Sequence, residues 1–360
     1  MTDHQLQRQV SSISLINFWE RALGCRKYAA GIILTLLLAL CVKLIADITN
    51  APSMLLAMIV GLCGHFVFRS NAFVAGVEVS AKQLLRLGVA LLGAKIVLVD
   101  VMALGWPVIL LVIAGVIFTL VSGLFVGRLF GLKSDHAILS AGSVAICGAS
   151  AALAVSSVLG QDRDSERRTT ITIIGVTTLS TIVMILYPIV TRLMGYDDQN
   201  AGLFIGATIH DVAQVMGAGY MVSEEAGQTA AIVKLTRVVC LVPAVFIIGY
   251  FYCRSQQNHS ECTDALETKV KQPFLPGFLI AFLCLMAFNS AGALPQSVTS
   301  GLGELSGFLL LVAVTALGLK TSFKDIMSIG IKPVLVLSVQ TILLALFALA
   351  GISFLLPYFS

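Results

Sequence analysis

About eleven apolar runs, each near the length a helix needs to cross a bilayer, divide this sequence and leave little outside them. A spanning helix takes about 20 apolar residues, because its backbone must bond internally where no water is present. The runs cover residues 29–46, 52–68, 79–99, 106–129, 137–159, 170–193, 201–222, 231–252, 275–290, 303–321 and 330–356. The chain is 58% hydrophobic and only 12% charged, too few charges for the solvated shell of a soluble protein of 360 residues. The longest polar stretch, Arg254 to Gln272, has the length of a loop. The run from Ala29 is long for a signal peptide and no A-x-A site follows it, so it reads as a retained span. These features predict an all-α, polytopic membrane protein, with a cytoplasmic N-terminal segment over 1–28 and one transmembrane domain over 29–360.

The net charge of +4 is scattered, and no basic stripe points to nucleic acid. The eight cysteines form no C-x-x-C pair and sit mostly in apolar runs, so they read as small inert hydrophobes. Nothing indicates a metal site or a cofactor. Lys and Arg in short loops mark the cytoplasmic side. Arg69, Lys82, Arg128, Lys133, Arg254, Lys269, Lys271, Lys324 and Lys332 fall in alternate loops, which puts the N-terminus in the cytoplasm and the C-terminus in the periplasm of an inner membrane. Two loops resist: Arg163, Arg167 and Arg168 fall on the outer side, and Asp197 and Asp198 on the inner. Re-entrant hairpins at 137–159 and 201–222 would reconcile them, and both topologies stay open.

Residues 90–105, ALLGAKIVLVDVMALG, repeat as 315–330, TALGLKTSFKDIMSIG. The matches include Leu92/Leu317, Gly93/Gly318, Lys95/Lys320, Asp100/Asp325, Met102/Met327 and Gly105/Gly330. An odd number of segments separates the copies, so they are expected to run in opposite directions. Inverted repeats of this kind are a feature of secondary transporters.

Two runs carry small residues at their centres. One has Ser143, Cys147 and Gly148-Ala149-Ser150; the other has Gly206-Ala207-Thr208 followed by His210, Asp211 and Gln214. Such clusters suit helices broken at mid-membrane, whose second halves begin with free N–H groups and about +0.5 of a charge, a site for an anion. The alternative is small-xxx-small helix packing, which needs no ligand. His210-Asp211 must face protein or a watered cavity, either as a coupling site or as a buried lock between helices. Lys234 and Arg237 share a helix face three residues apart, available to an anion or to lipid phosphates. Lys95 and Lys320 end their runs and could snorkel to the interface.

The strings RLGVALLGAKI (86–96), AICGASAALAV (145–155), GATIHDVAQVMGAG (206–219) and VKLTRVVCLVP (233–243) resemble the YeiH-type family of bacterial inner-membrane proteins, labelled sulfate exporters. More distantly, the chain is similar to bile acid–sodium symporters and cation–proton antiporters. The resemblance implies a core-plus-panel transporter with crossing broken helices. Lys95 and Lys320 place fixed positive charge where such symporters hold cations, which argues against sodium coupling.

The expected function is alternating-access transport of a small anion such as sulfate, sulfite or an organosulfonate. Ser143, Cys147, Gly148, Ser150, Gly206, Thr208 and Gln214 would line the site. Lys234 and Arg237 would balance the anion's charge, and His210 and Asp211 would couple protons or gate. The expected partners are the anion and the lipid bilayer, and a homo-oligomer is allowed. The rival readings are an intramembrane enzyme, for which no HExxH, GxGD or GxSG motif is present, and an ion channel, for which no filter or charged ring is evident.

Overall fold

A computed structural model describes residues 28–49, 51–64, 71–160, 163–255, 277–320 and 331–355. The described residues form helices and no strand, and helix lies in every one of the expected apolar runs. In chain order these are α1 (Tyr28–Thr49), α2 (Ser53–Cys63) and α3 (71–92, with a π-helical turn at Ser80–Leu84). Next come α4 (Leu98–Ala103), α5 (Gly105–Leu129), α6 (Ser134–Ala145), α7 (Ala149–Val158) and α8 (Ser165–Leu193). They are followed by α9 (Asp198–Thr208), α10 (Val212–Val222), α11 (Glu224–Val239) and α12 (Leu241–Ser255). The last three are α13 (Gly277–Ser290), α14 (Gln296–Lys320) and α15 (Ile331–Ala350). Among the described residues, six stretches, 28–49, 105–129, 165–193, 224–254, 296–320 and 331–354, are long and apolar enough to cross a membrane.

The chain divides into two units, residues 1–85 with 311–320, and residues 86–310 with 321–360. In the first, Val77, Ala81, Ala316 and Leu319 form a buried cluster with Leu34, Leu38 and Phe73 packed on it. A buried Thr35–Ser80 hydroxyl contact of 2.8 Å ties α1 to α3 there. Lys320 pairs with Glu78 at 3.4 Å, and Glu78 also accepts from Lys82 at 2.7 Å.

In the second unit, α11 packs along both α9 and α10, while α15 packs against α5, α6, α8 and α9. Close approach of α9 to α11 depends on small residues: a Cβ at Gly202 would lie 2.5 Å from the Ala226 carbonyl, and one at Gly206 would lie 2.6 Å from that of Ala230. Here the small-residue pattern serves packing.

Several boundaries differ from the sequence reading. Helix α11 starts at Glu224, not near residue 231, because the Ser223 hydroxyl caps it at Ala226 N (3.0 Å) and Glu224 and Glu225 suit the positive end of its first turn. The loop charges that resisted the topology have local roles. Arg167 and Arg168 belong to α8, and Arg168 is buried 4.0 Å from Asp135. Asp197 caps α9, accepting from Asn200 N at 2.8 Å, and Asp198 lies in its first turn. Lys95 pairs with Glu224. Such half-exposed pairs contribute about 0–1 kcal/mol. Cys253 is disulfide-bonded, which corrects the reading of all cysteines as inert. The residues 1–27, 256–276 and 321–330, and with them Asp325 and most of the second repeat copy, lie outside the described residues.

Candidate functional site

Both expected breaks occur, and they meet. The run 137–159 stops as helix at Ala145 and resumes at Ala149. Ile146 leaves helical geometry at φ −118°, ψ −86°, and Gly148 takes φ +64°, ψ −119°, a conformation that a side chain disfavours. The run 201–222 stops at Thr208 and resumes at Val212. Ile209 and Asp211 are extended, and the Asp211 carboxylate accepts from Ala213 N at 2.7 Å to cap α10. The His210 Cβ lies 3.5 Å from where a Cβ would stand on Gly148.

Position matters for the two small-residue motifs. Gly148-Ala149-Ser150 starts a half-helix, as expected. Gly206-Ala207-Thr208 does not: it forms the last turn of α9, and the Thr208 hydroxyl donates to Phe204 O at 2.5 Å. An aspartate cap starts α10 without glycine, so the second break falls three residues later than the motif suggested. The Ser143 hydroxyl also bonds its own helix, at Leu139 O (2.7 Å). Gln214 is fully buried and turned to α8, donating to Thr181 Oγ1 at 2.8 Å and Thr177 O at 3.3 Å.

Lys234 and Arg237 are both fully buried on one face of α11, away from lipid. Lys234 Nζ donates to Ile146 O at 2.6 Å and Ile209 O at 2.9 Å, one carbonyl from each break. The Arg237 guanidinium donates to Val144 O (2.9 Å) and Ala145 O (2.8 Å) at the end of α6, and to Ala207 O (2.7 Å) and Ile209 O (3.2 Å) at the end of α9. A helix end leaves its last four carbonyls without intrahelical partners and carries about −0.5 of a charge. The two cations satisfy both ends at once, and among the described residues neither is in an ion pair with a carboxylate.

His210 is fully buried and not ion-paired with Asp211. Its Nδ1 lies 3.1 Å from Val144 O and its Nε2 lies 2.9 Å from Thr341 Oγ1, while Ser180 Oγ accepts from the His210 and Asp211 N–H groups at 3.2 Å each. Cys147 is buried beside the cations. Ser150 is exposed and Asp211 is half-buried. The structure therefore gathers Cys147, Gly148, His210, Asp211, Lys234 and Arg237. Lys95 sits beside the first turn of α11, about 15 Å along that helix from Lys234 by helical rise. Asp100 lies in the short helix α4. The sequence reading passed over Ser180 and Thr341, although Gln340-Thr341 interrupts an apolar run, the signal that flags intramembrane polar groups.

Gly148→Ala is expected to lower the detergent melting temperature measurably, because an alanine at this positive φ costs about 1–3 kcal/mol. The nearest atom to the new methyl lies 3.5 Å away, so backbone strain is the only cost. An unchanged melting curve would show that the break does not need this conformation.

The family model described as Conserved hypothetical protein 698 matches residues 30–337. UPF0324 membrane protein RB0971 of Rhizobium meliloti (strain 1021) is 41% identical over 328 residues, 91% of this chain and 93% of the relative. UPF0324 membrane protein TauZ of Paracoccus denitrificans is 42% identical over 323 residues, 89% of this chain and 94% of the relative. UPF0324 membrane protein CT0845 of Chlorobaculum tepidum is 38% identical over 327 residues, 91% and 89% of the two chains. No solved structure matches the chain. With its apolar helices and its crossed broken pair, the chain belongs to the UPF0324 family of membrane proteins, that of Conserved hypothetical protein 698.

Proposed function

We propose that this chain is a secondary transporter that moves a small anion by alternating access, with the anion held where the two broken helices cross. The observation that carries the reading is the pair of fully buried cations, Lys234 and Arg237, bonded to backbone carbonyls of both breaks. At the crossing the negative ends of α6 and α9 face the positive ends of α7 and α10, each about half a charge, so the helix ends cancel. Asp211 offsets one cation. About one positive charge remains, which attracts an anion and repels sodium.

The open end of that field is the start of α7. Asp211 occupies the N-terminus of α10, whereas Gly148 has no side chain to cap α7. The anion would meet the first N–H groups of α7 and the exposed Ser150 hydroxyl, with Cys147 and Gly148 beneath it. Ser143, Gly206 and Thr208 support this floor through their helices. His210 and Asp211 couple protons or gate. Sulfate, sulfite or an organosulfonate is the substrate class that the YeiH-type resemblance implies. The charged loops support an inner-membrane orientation with the N-terminus in the cytoplasm.

The test is uptake of radiolabelled sulfate, sulfite and methanesulfonate by proteoliposomes of the full chain under an imposed pH gradient. Saturable accumulation of one of them above protein-free vesicles supports the proposal. Absence of uptake for all three, or unitary currents across a planar bilayer, would overturn it.

A further inference from the structure

We infer that His210 carries the coupling proton and that the Thr341 hydroxyl is the rotor that lets it do so, an assignment that rests on the transport reading above. Val144 O is an acceptor only, so His210 Nδ1, 3.1 Å away, holds a hydrogen in either charge state. The opposite nitrogen, Nε2, lies 2.9 Å from Thr341 Oγ1, and that oxygen also lies 2.8 Å from Leu337 O one turn back on α15. One hydroxyl hydrogen thus has two acceptors within reach. With His210 neutral, the Thr341 O–H points at Nε2. With His210 protonated, Nε2–H donates to Thr341 Oγ1 and the O–H turns to Leu337 O. Both states are fully bonded, and the change between them is a hydroxyl rotation with no heavy atom displaced.

The choice depends on the hydroxyl at Nε2, which can donate or accept; a carbonyl or carboxylate in its place would hold Nε2 protonated. The Asp211 carboxylate instead accepts from Ala213 N and caps α10.

The charges around His210 connect its proton to the anion. From α11 it faces Lys234 and Arg237, from the first break Cys147, and beside it in the chain stands Asp211. Helix α8 brings the hydroxyl of Ser180 to the His210 N–H, and α15 brings Thr341. Tyr187 of α8 lies near Arg237. The titratable residues of α6, Asp135 and His136, are at its far end, about 14 Å away by helical rise. Two cations oppose a third positive charge at His210, and an anion at the crossing offsets them. Anion binding therefore favours protonation, and by linkage protonation favours the anion to the same degree. Proton and anion enter together and leave together, which is symport.

The experiment is nitrogen NMR of the full chain in detergent, with its five histidines labelled at the ring and His210→Gln used for assignment. Titrations with and without sulfate, sulfite or methanesulfonate are compared with pH-driven uptake of the same anions. The expected result is an Nδ1–H signal throughout, with Nε2 passing from protonated to bare as the pH is raised across the range in which the protein stays folded. The transition should move to higher pH when a transported anion is added. Thr341→Val should reduce pH-driven accumulation by about tenfold, and Thr341→Ser should restore it along with the pH profile. A His210 Nε2 fixed in one form across the whole range, or a bare Nδ1, would overturn the assignment even if uptake is normal. An intact titration that no anion moves, with no uptake of any anion, would instead overturn the transport reading on which the assignment rests.

Discussion

Arg237→Ala is expected to leave little folded protein in the membrane. The guanidinium is the shared partner of the carbonyls at Val144, Ala145, Ala207 and Ile209, which belong to two different helix ends in a buried centre. Each buried carbonyl left without a donor costs about 1–3 kcal/mol. Val144 O and Ile209 O would keep His210 and Lys234 as donors, but Ala145 O and Ala207 O would lose theirs, a loss that reaches the lower end of the whole stability of an ordinary domain, about 5–15 kcal/mol. The helix ends would also lose the charge that opposes their dipoles. Arg237→Lys should recover only part of the yield, because an ammonium is a point charge and cannot span both ends as a planar fork does. Yield and melting temperature from size-exclusion of detergent extracts check this. A monodisperse Arg237→Ala protein that melts like the unmodified chain would show that the crossing is held by something else.

Lys234→Met should have the largest effect on binding. Removing this charge leaves the crossing near neutrality while a side chain of similar length still fills the space. Breaking a buried charged contact costs about 2–5 kcal/mol, which predicts anion affinity weaker by roughly 30-fold or more. Lys234→Arg keeps the charge and should bind within about tenfold of the unmodified protein. The measurement is the Kd for radiolabelled sulfate or sulfite per folded molecule, with melting temperature recorded alongside. If Lys234 acts only as a cap for Ile146 O and Ile209 O, Lys234→Met will melt earlier while its Kd per folded molecule stays the same.

The sequence made the helices and the existence of both breaks readable, because apolar length and small-residue clusters are written directly in side chains. It placed the first break well, since Gly148 supplies a backbone conformation that other residues resist. The second break went to Gly206–Thr208, because an Asp211 cap ends and restarts a helix without glycine. Gly206 instead lets α9 approach α11. The shared face of Lys234 and Arg237 was evident from their spacing. Their partners were not, because these are carbonyl oxygens, which every residue carries and no pattern marks. The same applies to His210, whose neighbours come from α6, α8 and α15 and are separated from it by up to 131 positions. Arg168 and Asp197 misled the loop assignment for one reason: charges that cap or pair at helix ends resemble loop charges in sequence.

The claim that an anion binds at the start of α7 can be tested at the exposed position there. Ser150→Cys, reconstituted in vesicles, is treated with a water-soluble methanethiosulfonate reagent in the presence of sulfate, sulfite or methanesulfonate, with gluconate at equal ionic strength as control. The account predicts that the introduced thiol reacts, and that the transported anion at ten times its Kd slows the reaction about tenfold while gluconate does not. A thiol that never reacts, or one that reacts at the same rate whether or not the transported anion is present, would contradict it.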